Sequence, residues 1–589
     1  MIRRYRRARR AEAPPQKPVR PSRRRPCVPC ATDTAGDNSR QAIEVGRTRL
    51  LIAGTILTLA FATVGYRLVD LAVLQGAEEP RVAHAPRSAT IQTDRADIVD
   101  RTGVILATSL RTASLYANPR RVLDPASAAR RLVTVMPQLD KVEITSKLKS
   151  KRSFVWLARN LTPRQQWEIN RLGIPGLDFR REATRVYPHG NLAAHVVGFV
   201  DVDDRGLAGV EKTFDDALQR RHAPLELALD LRMQYVLCGE LDKAKDEFQA
   251  IGATGVVLDV QTGEIRAMCS LPDFDPNRAS RASEDQRFNS AALGVYELGS
   301  VFKIFTVAMA LDAGIVKLSD RYDATKPLRV SRFTIRDYHA KRRWLSVSEI
   351  FMYSSNIGAA RMAVDVGAKA QRAFLGRVGL LDAAPIELPE VGAPMTPRVW
   401  RPVNTMTIGF GHGIAVSPIQ FAAAAAAMVN GGVYHPPTLL KRDSAAATGK
   451  RVISKRTSNQ MRRLMRLVVE HGTGRKAAAT GYLVGGKTGT AEKQGHGGYR
   501  RRALLSSFLG AFPINDPRFV VLAVLDEPRG NAKTQGYATG GWVAAPVIGR
   551  VVRRIAPLVG INPIDEAAPG VRRDLAIDLK TEGRRLASF

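Results

Sequence analysis

Apolar positions are sparse in residues 1–49. Arg runs at Arg3-Arg4, Arg6-Arg7 and Arg23-Arg24-Arg25 and frequent prolines fill that stretch, a composition that predicts a disordered basic tail. Leu50 to Tyr66 is then an unbroken uncharged run, LLIAGTILTLAFATVGY. At ~1.5 Å rise per residue it makes about 26 Å of helix, near the lower limit for crossing a bilayer. Leu68, Val69 and Leu71 to Leu74 prolong it past Arg67, which can snorkel. The pattern predicts one transmembrane anchor over 50–75, with the Arg-rich side cytoplasmic and everything from about residue 76 outside. A cleaved signal peptide fits less well, because the tail before the run is very long and no small-x-small site follows it. A buried core helix would need partners beside a disordered tail.

Beyond the anchor the period shortens. Residues 76–225 mix short strands and helices, such as the apolar run Asp97 to Ala107 around Arg101-Thr102-Gly103 and a helix from Asp124 to Met136 opened by Asp-Pro. A helix from Asp230 to Ala250 follows, apolar at Met233, Val236, Leu237 and Leu241. A hairpin comes next, Gly255 to Val260 and Glu264 to Cys269 about a turn at Gln261-Thr262-Gly263. From there to about residue 560, strands and helices alternate without a repeat or a regular βαβ period. That predicts an α+β or mixed α/β fold rather than a barrel. The expected divisions are a tail (1–49), an anchor (50–75), a first folded domain (76–225), a second (226–562) and a loose charged C-terminal tail (563–589).

Charge sharpens one point only. The chain of 589 residues has a formal net charge of +34. Residues 1–49 hold 14 Lys/Arg against four acids, a net of +10, which leaves +24 elsewhere. A basic surface suits nucleic acid, anionic lipid or acidic polymer alike. No zinc finger, RNA-binding signature or base-reading helix accompanies it, so no nucleic acid partner is expected. Cys27 and Cys30 form a lone Cys-Val-Pro-Cys and read as free thiols. Cys238 and Cys269 lie in apolar surroundings, where buried packing is the default and pairing in an oxidising compartment stays open. The nine histidines are scattered without ligand spacing, so no metal or cofactor is expected.

Three short motifs carry candidate chemistry. Ser300-Val-Phe-Lys303 opens an apolar helix read as Ser300 to Ala313. Positions i and i+3 share a helix face, so the Lys303 amine can reach the Ser300 hydroxyl. Serine is a poor nucleophile until a base takes its proton, and a lysine among Phe302, Ile304, Phe305 and Val307 is desolvated towards that role. A Ser N-cap on a surface helix would look the same. Lys487-Thr-Gly-Thr490 reads as a strand with a bare backbone, where Gly489 admits a ligand and Lys487 holds a carboxylate. An ordinary turn is the bland alternative. Ser354-Ser-Asn356 supplies a hydroxyl and an amide to relay protons and orient a substrate amide, although helix caps share that composition.

Their order along the chain is far more specific than any one of them. With gaps of 54 and 133 residues, the set matches Ser-x-x-Lys, Ser-x-Asn and Lys-Thr-Gly, and the chain resembles class B penicillin-binding proteins. Arg95-Ala-Asp-Ile-Val-Asp-Arg-Thr-Gly103, Arg185-Val-Tyr-Pro188 with Ala194-His195, and Gly206-Leu-Ala-Gly209-Val-Glu211 resemble that family's pedestal motifs. Tyr296 to Lys303 is close to its acylation motif, with Leu298 and Val301 in place of the usual Pro and Thr. Gly409-Phe-Gly-His-Gly413, Val416-Ser-Pro-Ile-Gln420, Glu470-His-Gly-Thr-Gly474 and Ser507 to Pro513 are most similar to the septal, cell-division branch.

The resemblance implies an α/β (α+β) transpeptidase domain, an antiparallel sheet flanked by helices, on an elongated pedestal with one transmembrane helix. It implies a peptidoglycan D,D-transpeptidase of the inner membrane, catalytic domain periplasmic, that is inhibited by β-lactams. Ser300, Lys303, Ser354 and Asn356 would be catalytic, and Lys487, Thr488, Gly489 and Thr490 would bind substrate. The implied partners are stem peptides, β-lactams, the membrane, a glycan polymerase of the shape, elongation, division and sporulation (SEDS) family and other division proteins. An elongation-type enzyme, a β-lactamase or penicillin sensor, and a division scaffold are the alternatives. His412 and His471 sit in motif-bearing loops, where packing or hydrogen bonding is expected of them rather than catalysis.

Overall fold

The structure, a computed structural model, describes residues 38–69, 95–220, 223–330, 333–442, 448–495, 498–580 and 583–586. Residues 1–91 and 92–589 form two separate units. In the first, helix α1 covers Asn38–Val69. Its apolar side chains at Leu51, Ile52, Ile56, Leu57, Phe61 and Tyr66 are exposed. Thr55, Thr58 and Thr63 donate their hydroxyls to the helix's own carbonyls four residues back. Among the described residues no helix is long and apolar enough to cross a membrane. Residues 70–75 of the expected anchor, most of the basic tail, Cys27 and Cys30 lie outside the described residues.

The second unit begins with an antiparallel sheet in which β1 (Ile105–Ala117) lies between β2 (Val155–Leu161) and β3 (Leu177–Val186). The three pedestal-like motifs meet beside it. Glu211, fully buried, takes Arg95 Nε at 2.6 Å on one oxygen and Arg185 Nε at 2.7 Å on the other. Asp215 accepts a further bond from Arg95 at 2.6 Å. Segments far apart in sequence are thereby tied by one carboxylate shared between two guanidiniums.

Residues beyond 225 build a five-stranded antiparallel sheet. Helix α2 (Leu231–Glu247) precedes β4 (Gly252–Asp259) and β5 (Ile265–Leu271). The sheet is completed by β6 (Gly485–Gly495), β7 (Gly498–Phe512) and β8 (Phe519–Asp526), in the order β6-β7-β8-β4-β5. Strand β8 reads FVVLAVLD, an apolar run without alternation, because both faces of the sheet are covered. Val520, Leu522 and Val524 point into one cluster, and Val521, Ala523 and Leu525 into the other. The second cluster is roofed by α2 and by a C-terminal helix over Ala545–Leu558. The first holds α3 (Lys303–Asp312) and the Ala-rich helix Pro418–Ala427, every residue of which is buried. A helix apolar on all sides belongs in such a place.

Cys238 of α2 and Cys269 of β5 are joined as a disulfide, Cα–Cα 5.6 Å, which resolves the alternative left open by the sequence. The C-terminal stretch departs from expectation. Residues 563–589 read as a loose tail, yet their described part is docked. It forms a helix over Pro569–Leu575 with Leu575 buried, and a strand, Arg585–Leu586, parallel to Arg321–Asp323. Charge density hid the few apolar anchors, Val571, Leu575, Ile577 and Leu586, that pack on the core.

Candidate active site

Ser300 sits in a tight turn, Gly299–Phe302, that runs directly into α3. The sequence predicts one helix from Ser300 to Ala313. The first residues are instead a 3-10 turn entered through Gly299 at φ +61°. A side chain at Gly299 would meet Thr490 O at 2.6 Å, so the turn lies against the backbone of β6. Past the turn, α3 is buried from Lys303 to Leu311, with Phe302, Phe305 and Phe421 packed ring to ring. A charged side chain is therefore carried to the edge of an apolar core.

Lys303 is fully buried and its Nζ is the hub of the site. It lies 2.8 Å from Ser300 Oγ, 2.7 Å from Ser354 O, 3.1 Å from Ser354 Oγ and 2.7 Å from Asn356 Oδ1. Burial lowers its pKa to about 7, against the opposing pull of the Asp337 charge.

Two helices deliver the Ser354–Asn356 turn. Helix α4 (Val347–Tyr353) ends on Ser354 in the left-handed region, φ +62°. That conformation is uncommon outside glycine and clusters at functional sites. Helix α5 (Asn356–Val366) begins immediately, capped by Ser355, whose hydroxyl accepts from Gly358 N–H. Asp337 clamps this start. It accepts from Ser355 Oγ at 2.7 Å, Asn356 N–H at 2.6 Å and Ile357 N–H at 3.0 Å. Asn356 donates its Nδ2 to Arg336 O at 3.0 Å, which orients its amide so that Oδ1 faces Lys303. Sequence reasoning missed Asp337, which belongs to no motif.

Strand β6 brings the third motif. Lys487 is completely buried, its Nζ 2.9 Å from Ser354 Oγ and 3.2 Å from Thr488 O. The Ser354 hydroxyl thus bridges two amines. Burial first, then the charge of Lys303, holds the Lys487 pKa well below the ordinary lysine value. The Thr488 hydroxyl pairs with that of exposed Thr473 at 2.7 Å, and Thr490 Oγ1 accepts from Gly540 N–H at 3.1 Å. Thr473 is a second residue whose neighbourhood only the fold reveals. Gly489 departs from expectation. The space beside it is filled by the protein itself, since a side chain there would meet Ser507 Oγ at 2.3 Å and Leu298 O at 2.4 Å. Its bareness lets the Ser300 turn touch the strand.

His412 lies near Lys303. Burial first, then the Lys303 charge, lowers its pKa to about 4, so it is neutral at pH 7. His471 is exposed and ends the helix Lys455–Glu470, its N–H bonded to Leu467 O. Glu297 accepts from Gly413 N–H and Gln494 Nε2 and ties the loop at Gly413 to strand β6 beside the site. Among the described residues no group of three or more His, Cys, Asp or Glu side chains is placed to hold a metal ion.

The assembled geometry is an amine, two serine hydroxyls and a carboxamide around one point, flanked by a strand. All of Ser300, Lys303, Ser354, Asn356, Lys487 and Thr488 come together there. Residues 253–553 match the penicillin binding protein transpeptidase domain, and residues 90–223 the penicillin-binding protein dimerisation domain. The chain is 42% identical over 487 residues to "Probable peptidoglycan D,D-transpeptidase FtsI" of Caulobacter vibrioides, covering 80% of this chain and 82% of that one. It is 34% identical over 510 residues to "Probable peptidoglycan D,D-transpeptidase PenA" of Neisseria meningitidis, covering 81% and 86%. The fold is similar to that of penicillin binding protein 3 of Mycobacterium tuberculosis, solved with aztreonam, at 23% identity and TM-score 0.64 over 80% of this chain and 98% of that one. With both domains matched in series and a relative this similar across most of its length, the chain belongs to the class B penicillin-binding protein transpeptidases.

Proposed function

We infer that the chain is a septal peptidoglycan D,D-transpeptidase that works through an acyl-enzyme on Ser300. The observation that carries this reading is the proton geometry at Lys303. A neutral amine has two N–H groups and one lone pair. Ser354 O and Asn356 Oδ1 can only accept, and each lies 2.7 Å away. They take the two N–H groups, which leaves the lone pair for the Ser300 Oγ–H at 2.8 Å. Lys303 removes that proton as Oγ bonds to the carbonyl carbon of the penultimate D-Ala in a pentapeptide stem. Backbone N–H groups of Ser300 and Thr490 receive the oxyanion, an interaction worth about 3 kcal/mol per donor in such sites. The peptide C–N bond then breaks. The leaving amine of the terminal D-Ala takes a proton through the Ser354 hydroxyl, which Lys487 approaches from its other side at 2.9 Å. The amine of a neighbouring stem then attacks the ester carbonyl and loses its proton to Lys303; the C–Oγ bond breaks, and Lys303 passes that proton to Ser300 Oγ to restore the hydroxyl. Thr488 and Thr490 hold the terminal carboxylate at the strand edge, with the buried Lys487 behind them, and Asn356 aligns the donor amide. β-Lactams enter the same first step and stop there.

The setting is extracytoplasmic. A single membrane anchor over 50–75, arginine-rich end inside, belongs to this reading: the described part of α1 does not by itself qualify as a span, and its exposed apolar residues, with threonine hydroxyls turned onto their own helix, are what favours it. The Cys238–Cys269 disulfide suits an oxidising compartment. A SEDS-family glycan polymerase and other division proteins are the partners this reading implies. Intact-mass measurement after benzylpenicillin, with peptide mapping, tests the assignment. One adduct on Ser300 and none on Ser300→Ala is the expected result, and an adduct on any other residue overturns it.

A further inference from the structure

The transpeptidase match ends at residue 553, and the docked C-terminal stretch lies beyond it. Between apolar packing of Val571, Leu575 and Ile577 on the core, with Arg463 bonded to Ala576 O, it is fastened by polar contacts at two places, each behind a different part of the active site. At the near end Ile564 N–H donates to Gly481 O at 2.9 Å, and Glu566 accepts from Gly481 N–H at 3.0 Å. The other Glu566 oxygen pairs with Arg466 at 2.8 Å, and Arg466 also donates to Val484 O, just before the strand that carries Lys487. At the far end Arg584 pairs with buried Asp320 at 2.8 Å, and Arg321 N–H donates to Arg584 O at 2.7 Å. Asp320 O in turn accepts from Val347 N–H, the first residue of the helix that ends on Ser354. Next to it, Tyr322 donates its hydroxyl to Asp365 at 2.7 Å, in the last turn of the helix that begins at Asn356. Strand Arg585–Leu586 thus completes a three-stranded sheet with 321–323 and 344–346 that backs both helices of the Ser354–Asn356 turn.

We propose that residues 563–580 and 583–586 act as a strap that positions the Lys487 strand and the Ser354–Asn356 turn against Ser300, with Glu566 and Arg584 as its two fastenings. This rests on the acyl-transfer reading above. Neither fastening touches substrate; each acts through the scaffold that sets the distances to Lys303. Arg584 is largely exposed and Asp320 is not, so loss of Arg584 leaves a buried carboxylate short of a partner and frees the strand edge.

The test uses the full-length protein with Arg584→Glu, Arg584→Lys and Glu566→Gln. Acylation by a fluorescent penicillin is followed against pH per active molecule, with thermal unfolding in parallel. A small displacement at the site lowers the acylation constant about tenfold in Arg584→Glu and Glu566→Gln. It also moves the half-maximal pH upward from about 7, because water admitted to Lys303 restores its charged form. The charged and titratable groups that face Lys303 are Asp337, Lys487 and His412. Arg584→Lys keeps the wild-type profile. A lower melting temperature with rate and half-maximal pH unmoved would show that the stretch only stabilises the fold, and sinks the strap. Wild-type protein that takes no adduct would sink the acyl-transfer reading and the strap with it.

Discussion

Four oxygens surround Lys303 Nζ, and a protonated lysine has only three hydrogens to offer. A neutral amine also has three hydrogen-bonding positions, two N–H groups and a lone pair, so the cage accommodates either form, and it is burial that brings the pKa to about 7. The base is competent when deprotonated, so acylation by penicillin rises with pH, is half-maximal near pH 7 and is flat above it, as stopped-flow rates across about pH 5.5–9 would show. Stability moves the same way. The folded pKa lies below the unfolded one, so the cost of burying this lysine is full below about pH 7 and is relieved as pH rises towards the ordinary lysine value. Asp337 gives a sharper check. Its charge raises the Lys303 pKa, so Asp337→Asn moves the half-maximal pH downward while slowing acylation about tenfold through loosened caps at Ser355 and Asn356. A half-maximal pH that stays fixed or climbs would refute that coupling. Ser300, Lys303 and Lys487 were legible in the sequence because each reacting group sits inside a short motif. Asp337 was not, since its role arises only when a strand-and-loop excursion of the chain folds back on a helix start.

Periodicity placed several of the elements it named to within a few residues. The helix expected over Asp230 to Ala250 spans Leu231–Glu247, and the expected hairpin is β4 and β5. Patterns of apolar spacing are set by which face is covered, and here the cover is extensive. What they do not encode is how closely two backbones approach. The 3-10 turn before α3 and the role of Gly489 both come from that approach. Gly489→Ala puts a methyl where Ser507 Oγ and Leu298 O already lie, at 2.3 and 2.4 Å. The strand must move away from Ser300, and a shift of about 1 Å costs on the order of 100-fold in acylation. Measuring the acylation constant of Gly489→Ala against its melting temperature checks this. Near-normal acylation would mean that the turn and strand need not touch.

At the scale of the whole molecule, the two matched domains follow one another at 90–223 and 253–553, and how the first of them closes was not readable from the sequence. The three pedestal motifs are separated by up to about a hundred residues, and nothing in their spacing says that they converge on one carboxylate. Glu211 holds Arg95 and Arg185 with all three side chains shut away from water. Such an arrangement contributes little relative to apolar packing, yet removing the shared carboxylate leaves buried positive charge under-compensated, since only Arg95 keeps a second acid, Asp215. Glu211→Ala takes from buried Arg185 the carboxylate it pairs with and leaves Arg95 with Asp215 alone, and is expected to cost about 3 kcal/mol. The catalytic cluster is built from residues 300–490, none of which belongs to this network, and the core around α3 is formed mainly by the sheet and helices beyond residue 225. Unfolding followed by amide exchange should therefore show residues 95–220 opening first in this variant, while the fraction still folded acylates at the normal rate. An acylation constant that falls in step with pedestal opening would show that the pedestal holds the active site in shape, and that the two domains function as one.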